Sequence, residues 1–243
     1  MIEIRNLTVM YGRKIAVENV NLRIEDGERI ILMGPNGSGK TTILKAILDL
    51  VPYEGEVRMD GVEVRLLKRR ELARNVAYVP QIFSTPYTFS VKEFVSMGLY
   101  SVLRDWLSAD GVVEEAIEKV GLWDLREKSV NTLSGGELQK AVIARALVQD
   151  ARYILMDEPT AHLDIKAVKE ILDIVESMRD KGLILVSHDL NPLNRIHGTL
   201  ALLRNGRLEF AGKKGDPKLP GKLEEVFGIK VAEFNDALQF ELS

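Results

Sequence analysis

The sequence predicts an α/β protein in which a helical segment interrupts a set of buried strands, with β-hairpins near both ends. Three short apolar runs, at residues 29–33, 152–156 and 182–187, are typical of strands that are buried on both faces of a parallel sheet. Residues 91–148 carry helical periodicity alone, broken at glycines. Strand patterns that alternate with helical patterns favour an α/β architecture over an all-α or all-β one.

The first 80 residues combine strand patterns with two helical ones. Ile2, Ile4, Leu7 and Val9 alternate with polar residues, as expected of a half-buried strand. The predicted elements after this strand are an alternating segment at 17–28 with a turn at Asp26-Gly27, the buried strand at 29–33, a helix at 40–50, a hairpin at 54–64, a helix at 66–75 and a strand at 75–80.

The rest of the chain returns to strands after the helical segment. Residues 164–182 predict an amphipathic helix, and residues 199–212 predict a hairpin, since Asn205-Gly206 is a strong turn signal between alternating runs. We therefore expect a single domain over residues 1–243, with a core at 1–85 and 150–243 and a helical subdomain at about 86–149.

Composition narrows the class of protein. The chain has 46% apolar and 28% charged residues and a net charge of -3, which is ordinary for a globular protein and gives no field that attracts nucleic acid. It lacks cysteine, so disulfides and thiolate metal sites are excluded. Neither a signal-peptide pattern nor an apolar run of about 20 residues is found, which predicts a cytoplasmic protein.

One basic cluster precedes the strand at 75–80. It can be a nucleic-acid patch or the solvated face of a helix. Two glutamates dilute its charge and no aromatic residues are interleaved with it, which favours the solvated face. No nucleic-acid partner is therefore expected. The cluster comprises Arg65, Lys68, Arg69, Arg70 and Arg74, and the glutamates are Glu63 and Glu71.

A phosphate-binding loop follows the first buried strand. Residues 34–42 read GPNGSGKTT and fit G-x-x-x-x-G-K-[ST], with a strand before and a helix after, as the motif requires. Glycines let backbone N–H groups approach an anion, and the helix N-terminus adds positive charge. Lys40 is expected to reach the β- and γ-phosphates and the Thr41 hydroxyl to ligate Mg²⁺. The predicted phosphate-binding residues are Gly34, Pro35, Asn36, Gly37, Ser38, Gly39, Lys40, Thr41 and Thr42.

A pair of carboxylates follows the second buried strand, where the chain reads RYILMDEPT. Ligands of parallel sheets bind outside the carboxyl ends of the strands, so this pair is expected at the same edge as the phosphate loop. Asp157 is the candidate to hold Mg²⁺, through water, and Glu158 to orient or deprotonate the attacking water.

Two further strand ends carry polar residues. His188 follows the third apolar strand, and the same edge argument places it near the γ-phosphate. Gln81 ends the strand at 75–80 and is expected to contact either Mg²⁺ or the water. The other histidines, His162 and His197, have no ligand spacing with His188, so a histidine metal site is not predicted.

A second glycine pair lies in the sequence LSGGELQK, just before a strong helical run. Ser134 and Glu137 form the S-x-x-E pattern of a capping box, which satisfies free N–H groups at the start of a helix. The capping box leaves Gly135 and Gly136 unexplained. Bare backbone at a helix N-terminus is suited to an anion, which indicates a second phosphate contact.

The motifs GPNGSGKTT, YVPQ, LSGGELQK, ILMDEPTAHLD and VSHD occur in the order and approximate spacing found in the ATP-binding subunits of ABC transporters. The resemblance covers nearly the whole chain. It implies a P-loop NTPase fold of the ABC type, with an antiparallel β subdomain and a helical subdomain. It also implies ATP hydrolysis with Mg²⁺ as the activity.

The resemblance assigns further residues. LSGGE is similar to the signature sequence that binds the γ-phosphate of ATP held by a second subunit, which implies a head-to-tail homodimer. Tyr11 resembles the aromatic residue that stacks on adenine in this family. Asp164 matches a residue in the loop that crosses between subunits. Ala161-His162 replaces the more common serine–alanine pair, which leaves the role of His162 open.

The cargo is inferred from kinship alone. TFSVKEFVSMGLY and LEEVFGIKV are similar to segments in importers of iron–siderophore complexes, haem and cobalamin. This implies two transmembrane permease subunits, an indirect extracellular substrate-binding protein, and a location on the cytoplasmic face of the membrane. The rival hypotheses are a zinc or manganese importer, a soluble ABC ATPase and a P-loop kinase.

Overall fold

The computed structural model describes residues 1–101, 109–234 and 237–242. Residues 102–108 of the predicted helical subdomain lie outside the described residues. The chain divides into two compact units, unit 1 with Met1–Leu67 and Gly182–Ser243, and unit 2 with Lys68–Lys181. The predicted subdomain boundaries stay a prediction.

The secondary structure alternates strands and helices along the chain. The strands are β1 (Ile2–Tyr11), β2 (Lys14–Ile24), β3 (Arg29–Met33), β4 (Glu54–Met59), β5 (Val62–Glu63), β6 (Val76–Val79), β7 (Tyr153–Asp157), β8 (Gly182–Ser187), β9 (Thr199–Arg204), β10 (Arg207–Lys213), β11 (Ile229–Phe234) and β12 (Ala237–Leu242). The α-helices are α1 (Lys40–Ile47), α2 (Arg69–Asn75), α3 (Val91–Ser96), α4 (Ala109–Lys119), α5 (Gly135–Leu147), α6 (Ile165–Ser177) and α7 (Leu219–Phe227).

Unit 1 contains an antiparallel sheet in the order β2-β1-β4-β5. Ile2, Ile4, Leu7 and Val9 are at most 2% exposed, and a register shift between Ile4 and Leu7 interrupts the strict alternation of the strand. The predicted hairpin at 54–64 is confirmed as β4 and β5 around a turn at Asp60-Gly61.

Unit 1 also contains the strands that carry the phosphate loop. β3 is buried along its whole length and pairs in parallel with β8 on one side and β9 on the other, and β10 is antiparallel to β9. Met33 pairs with Ser187, so β3 and β8 end at one edge of the sheet. The predicted hairpin at 199–212 is confirmed as β9 and β10.

Unit 1 ends in elements that the sequence analysis did not predict. Helix α7 stops at Gly228, whose left-handed backbone (φ 66) closes the helix, and the hairpin of β11 and β12 follows.

Unit 2 pairs β6 in parallel with β7 and carries helices α2 to α6. Its predicted helical segment is confirmed as α3, α4 and α5 with short 3₁₀ turns between them. Gly98 permits a close approach to α5, since a Cβ there would lie 2.1 Å from the Arg145 carbonyl oxygen. The Arg145 guanidinium packs over the rings of Phe83 and Phe94, at 5.1 and 4.8 Å from their centroids.

Three predicted helix bounds are wrong by about one turn. Helix α6 ends at Ser177 rather than at residue 182, because Met178 leaves the helical conformation (ψ 54) and caps it. Helix α1 ends at Ile47 rather than at residue 50, because Leu48 caps it and Asp49 takes a left-handed conformation (φ 51). Helix α2 begins at Arg69 rather than at residue 66, because the Lys68 backbone N–H donates to the Glu71 carboxylate at 2.9 Å and closes the helix start there.

The basic cluster before β6 has the features of a solvated face. Arg65 pairs with Glu63 at 2.5 Å and lies over the ring of Tyr53, 4.3 Å from its centroid. Among the described residues, no helix is long and apolar enough to cross a bilayer.

Candidate functional site

The phosphate loop of unit 1 runs from the end of β3 to the start of α1. Two of its glycines are required by close backbone contacts. A Cβ on Gly34 would lie 2.0 Å from the Leu203 carbonyl oxygen, and one on Gly39 would lie 2.5 Å from the Ala16 carbonyl oxygen. Gly39 also has φ 103, which side chains rarely adopt. The loop is therefore held against β2 and β9 in a conformation that only glycine permits.

The side chain of Lys40 lies along this loop. Lys40 is 4% exposed, and its ammonium donates to the carbonyl oxygens of Gly34 at 2.8 Å and Pro35 at 3.0 Å. A buried ammonium is costly unless it is hydrogen-bonded, so these contacts hold the cation at the loop. Helix α1 has no side-chain N-cap and no acidic residue in its first turn, so no carboxylate there competes for an anion.

Ser38 adds an independent indication that the loop accepts a ligand. Its hydroxyl is buried and has no hydrogen-bond partner among the described residues. Buried hydroxyl groups are nearly always hydrogen-bonded. A phosphate oxygen would supply the missing acceptor, so the loop fits an anion better than it fits a plain strand-to-helix turn.

Three other predicted residues belong to unit 1, and two of them directly follow Lys40 at the end of the loop. Thr41 is half-buried and Thr42 is 8% exposed in the first turn of α1. Tyr11 is 47% exposed at the end of β1, where it pairs with Lys14 of β2. β2 is also the strand that contacts Gly39.

His188 is placed at the edge of unit 1 where the phosphate loop begins. It follows Ser187, the residue that pairs with Met33, and it is exposed. The buried Ser187 hydroxyl accepts from the Asp189 backbone N–H and donates to the Asp189 carbonyl oxygen, both at 2.9 Å. This turn fixes the backbone on either side of His188.

Unit 2 carries the predicted carboxylates at the end of β7. Asp157 is the last residue of the strand and is 2% exposed, and its carboxylate accepts a hydrogen bond from the Tyr78 hydroxyl at 3.3 Å. Burial, followed by the charge of Asp157, raises the pKa of Tyr78, so its hydroxyl stays protonated and donates. Sequence reasoning missed Tyr78, whose signal is the parallel register that pairs it with Leu155.

Glu158 is held in an unusual backbone conformation beside Gln81. It has φ 47, a left-handed value that costs a non-glycine residue about 1–3 kcal/mol. Its carboxylate accepts a hydrogen bond from the Gln81 side-chain amide at 3.0 Å. The register of the strands explains this contact. Val79 pairs with Met156, and Gln81 and Glu158 each lie two residues after this pair.

The residues predicted to ligate Mg²⁺ offer a hydroxyl, a side-chain amide and a carboxylate, on Thr41, Gln81 and Asp157. Mg²⁺ is a hard cation that prefers oxygen ligands, so the chemistry of this donor set fits the ion.

The glycine pair of unit 2 begins α5, and the predicted capping box is confirmed. The Glu137 carboxylate accepts from the Ser134 backbone N–H at 2.7 Å and from its hydroxyl at 2.8 Å. These hydrogen bonds lower the pKa of Glu137. The backbone N–H groups of Gly135 and Gly136 donate to no described residue.

The structure adds a reason for Gly136 that the sequence analysis did not consider. A Cβ there would lie 2.8 Å from the Ala167 Cβ in the first turn of α6. Gly135 is less constrained, since its Cβ would meet only the Leu163 side chain at 3.3 Å. Close packing of α5 on α6 therefore accounts for one glycine, while the other is exposed at the helix start.

One surface cavity of about 380 Å³ in unit 2 contains both the glycine pair and the segment around Asp164. Asp164 caps α6 by accepting from the Ala167 backbone N–H at 2.8 Å. His162 lines the same cavity with a left-handed backbone (φ 62), and Lys140 pairs with Glu170 at its wall.

The chain is similar to known proteins over most of its length. The family profile of the ABC transporter matches residues 17–161. The ferric enterobactin transport ATP-binding protein FepC of Escherichia coli is 34% identical over 95% of this chain and 88% of its own length. The manganese transport system ATP-binding protein MntB of Halalkalibacterium halodurans is 31% identical over 97% of this chain and 95% of its own length.

The fold is also similar to that of a solved structure. The dimeric structure of MJ0796, a bacterial ABC transporter cassette, has a TM-score of 0.78 and 30% sequence identity, and the match covers 88% of this chain and 98% of the MJ0796 chain.

Proposed function

The chain belongs to the ABC transporter family of ATPases, and from that membership we propose that it drives the import of a metal chelate. An iron–siderophore complex, haem or cobalamin is the proposed cargo class. The observation that carries the ATPase function is the phosphate loop of unit 1, in which an uncapped helix start, a buried ammonium and a hydroxyl without a partner converge on one anion site.

We assign the steps of hydrolysis to residues at the strand ends. Lys40 and the loop amides bind the β- and γ-phosphates, and Tyr11 stacks on the adenine. Glu158 holds the attacking water and accepts its proton, while the hydrogen bond from Gln81 orients the carboxylate. His188 donates to the γ-phosphate.

Mg²⁺ has proposed ligands in Thr41, Gln81 and Asp157. When bound, the ion supplies positive charge to the phosphate oxygens. The Tyr78 hydroxyl aligns the Asp157 carboxylate by donating a hydrogen bond to it.

A second copy of the chain supplies the remaining groups. Gly135 and Gly136 present unused N–H donors at a helix start, and the Ser134 hydroxyl lies beside them. We propose that these groups engage the γ-phosphate held by the partner's phosphate loop in a homodimer, and that Asp164 lies in the loop that crosses between the two subunits. ATP therefore stabilises the closed dimer, because only that state makes these contacts.

The ATPase assignment is tested with Glu158→Gln. Removal of the base is expected to lower ATP turnover by about 10²-fold or more and to accumulate an ATP-loaded dimer, as seen by size-exclusion chromatography with ATP and Mg²⁺. Glu118→Gln, on the exposed face of α4, is the matched control and is expected to behave as wild type. Wild-type turnover in Glu158→Gln would remove this residue from its role.

Contact between copies is tested with Gly135→Asp, which places a carboxylate beside the proposed phosphate. The position tolerates a Cβ, so the fold is expected to survive while ATP-dependent dimerisation is lost. Gly111→Asp, where a side chain meets open space, is the control. If Gly135→Asp still dimerises with ATP, the proposed contact is wrong.

Unit 2 exposes large apolar side chains suited to the membrane permease, which would hold the subunit at the cytoplasmic face of the membrane. Ile82, Tyr87 and Tyr100 are 75%, 67% and 82% exposed. Tyr87→Glu with Tyr100→Glu is expected to abolish co-purification with the permease and leave ATP hydrolysis intact. Leu66→Glu, at an equally exposed apolar residue of unit 1, is the control. Equal loss of the permease in both variants would contradict this docking surface.

Manganese is the second candidate cargo, favoured by the similarity to MntB along nearly both chains. Uptake assays on cells that lack the gene discriminate between the chelate and manganese as cargo. Loss of ferric-siderophore, haem or cobalamin uptake with normal manganese uptake supports the chelate, and the reverse result supports manganese.

A further inference from the structure

The far end of the phosphate-loop strands in unit 1 carries a cavity that the proposed function does not use. Residues 27–29, 193–200 and 213–215 line it, and its volume is about 610 Å³. Three strand ends meet there in one row, since Thr199 pairs with both Ile30 of β3 and Lys213 of β10. We call it the basic cavity.

Charge is strongly segregated in the basic cavity. Its described lining includes two arginines, two lysines and a single carboxylate, although the chain as a whole has a net charge of -3. The carboxylate, on Glu28, already accepts from the Thr199 hydroxyl at 2.8 Å and the Glu25 backbone N–H at 2.9 Å. The cations are Arg29, Arg195, Lys213 and Lys214.

Two of these cations form no ion pair with a described carboxylate. Within the described part of the chain, no carboxylate forms an ion pair with the ammonium of Lys213 or Lys214. Glu28 is the single carboxylate among the described lining residues, so an anion that enters the cavity would further lower the repulsion between the cations.

The basic cavity also has the size and the apolar wall of a small-molecule site. Leu193, Ile196 and Leu200 line it and are at most 4% exposed. Ligand sites typically enclose about 300–1,000 Å³ and combine an apolar wall with a few polar groups. Arg29 is 8% exposed, so packing holds it in place, and a fixed guanidinium suits the bidentate recognition of phosphate.

We propose that the basic cavity binds a phosphorylated small molecule, with its phosphate on the cations and its body against the apolar wall. This site is separate from the phosphate loop. The loop begins after Met33 and the cavity begins at Arg29, at opposite ends of β3, which is a separation of about 13 Å along the strand.

The test measures binding by isothermal titration calorimetry in a Lys40→Ala background, which removes the main cation of the phosphate loop. The probes are AMP, pyrophosphate and citrate, where citrate carries carboxylates in place of phosphate. Saturable binding of AMP or pyrophosphate, tighter than that of citrate, is expected. The proposed ATPase mechanism fails if Glu158→Gln hydrolyses ATP at the wild-type rate, whereas the proposed cavity fails in the binding experiment, so the two failures are distinguishable.

Charge reversal locates the site. Lys213→Glu with Lys214→Glu is expected to weaken binding of the probe by about tenfold or more. Lys218→Glu with Lys230→Glu makes the same change of charge at exposed residues of unit 1 outside the cavity, and less than about a twofold effect is expected. Arg195→Gln, a milder change, is expected to weaken binding if the double variant does not fold.

Three results would overturn the proposal. The first is equal weakening by both double variants, which indicates a general surface field. The second is citrate binding as tight as that of pyrophosphate. The third is the absence of saturable binding for any probe below about 10 mM, a concentration that corresponds to less than 3 kcal/mol of binding free energy.

Discussion

Helices α1 and α5 both have glycine at their starts, with Gly39 as the N-cap of α1 and Gly135 as the first residue of α5, but the charged groups at the two starts differ. Helix α1 has Gly39 as its N-cap, with no side-chain cap and no acidic residue in its first turn, while the Lys40 ammonium adds positive charge. Helix α5 has Ser134 as its N-cap and places the Glu137 carboxylate over its own first turn. The first helix start concentrates positive charge and the second partly neutralises it.

This difference indicates that the two helix starts would contribute unequally to binding one phosphate in the proposed homodimer. The phosphate loop has the charge and the close backbone contacts to hold an anion by itself. The α5 start keeps the N–H groups of Gly135 and Gly136 available but carries its own carboxylate nearby. It is therefore suited to contact a phosphate that another site already holds, which agrees with the proposed homodimer.

The largest expected effect separates the two lysines near these helix starts. Lys40→Met removes a buried ammonium from the loop and is expected to lower ATP turnover by about 10²–10³-fold, because a preorganised charge at the phosphate is lost. Lys140→Met removes a lysine that pairs with Glu170, and less than about a threefold change is expected. Steady-state ATPase assays on the two variants measure the contrast.

A large loss in both lysine variants would break the comparison. It would mean that the α5 start depends on added positive charge as the phosphate loop does. Circular dichroism of each variant excludes unfolding as the cause.

The next effect concerns stability and distinguishes the glycines. Gly39→Ala is expected to lower the free energy of unfolding by about 3 kcal/mol, because φ 103 is strained for alanine and the Cβ would press on the Ala16 carbonyl oxygen. Gly136→Ala is expected to lower it by about 1 kcal/mol through overpacking on Ala167. Gly135→Ala is expected to be neutral or to raise stability by up to about 1 kcal/mol, since alanine favours helix. Urea denaturation measures all three.

The order of these three values is the test. If Gly135→Ala destabilises as much as Gly39→Ala, then the exposed glycine of α5 has a conformational role and its exposure would not indicate a phosphate contact.

The sequence predicted secondary structure best where consecutive residues are all buried or where a motif depends on local spacing. β3 was predicted to its last residue because residues 30–33 are apolar without interruption, as in a strand buried on both faces. The ends of β6 and β7 then indicated that Gln81 and Glu158 lie at the same edge, since a parallel register aligns the residues that follow two paired strands. The capping box at Ser134 was readable because it depends only on local spacing.

The remainder depends on contacts that are distant in sequence. The packing of Gly136 against Ala167 and the hydrogen bond from Tyr78 to Asp157 join residues 31 and 79 apart, so no local pattern shows them. The end of α1 was missed because Asp49 takes a left-handed conformation that its residue type permits but does not require. The basic cavity could not be predicted from the sequence, because its lining residues come from the ends of three strands that are distant in the chain.

The smallest expected effect tests the neutralised start of α5 through its pH dependence. Glu137→Gln is expected to lower the free energy of unfolding by about 0.5–1 kcal/mol at pH 7, because a charge-assisted cap and a favourable helix-dipole contact are lost. The Ser134 donors lower the folded pKa of Glu137, so the unfolded chain binds its proton more tightly. The stabilisation is thus complete above the unfolded pKa, about 4.3, and is lost as the pH falls through the folded value.

Denaturation of the two proteins from pH 7 to about pH 3.5 measures this convergence, with Glu115→Gln on the exposed face of α4 as the control. The wild type and Glu137→Gln are expected to approach equal stability at the acid end, whereas the control should show no such trend. A gap that persists at the acid end would mean that the carboxylate charge is not what closes this helix start. The α5 N-terminus would then carry as much unneutralised positive potential as that of α1, and the contrast between them would rest on Lys40 alone.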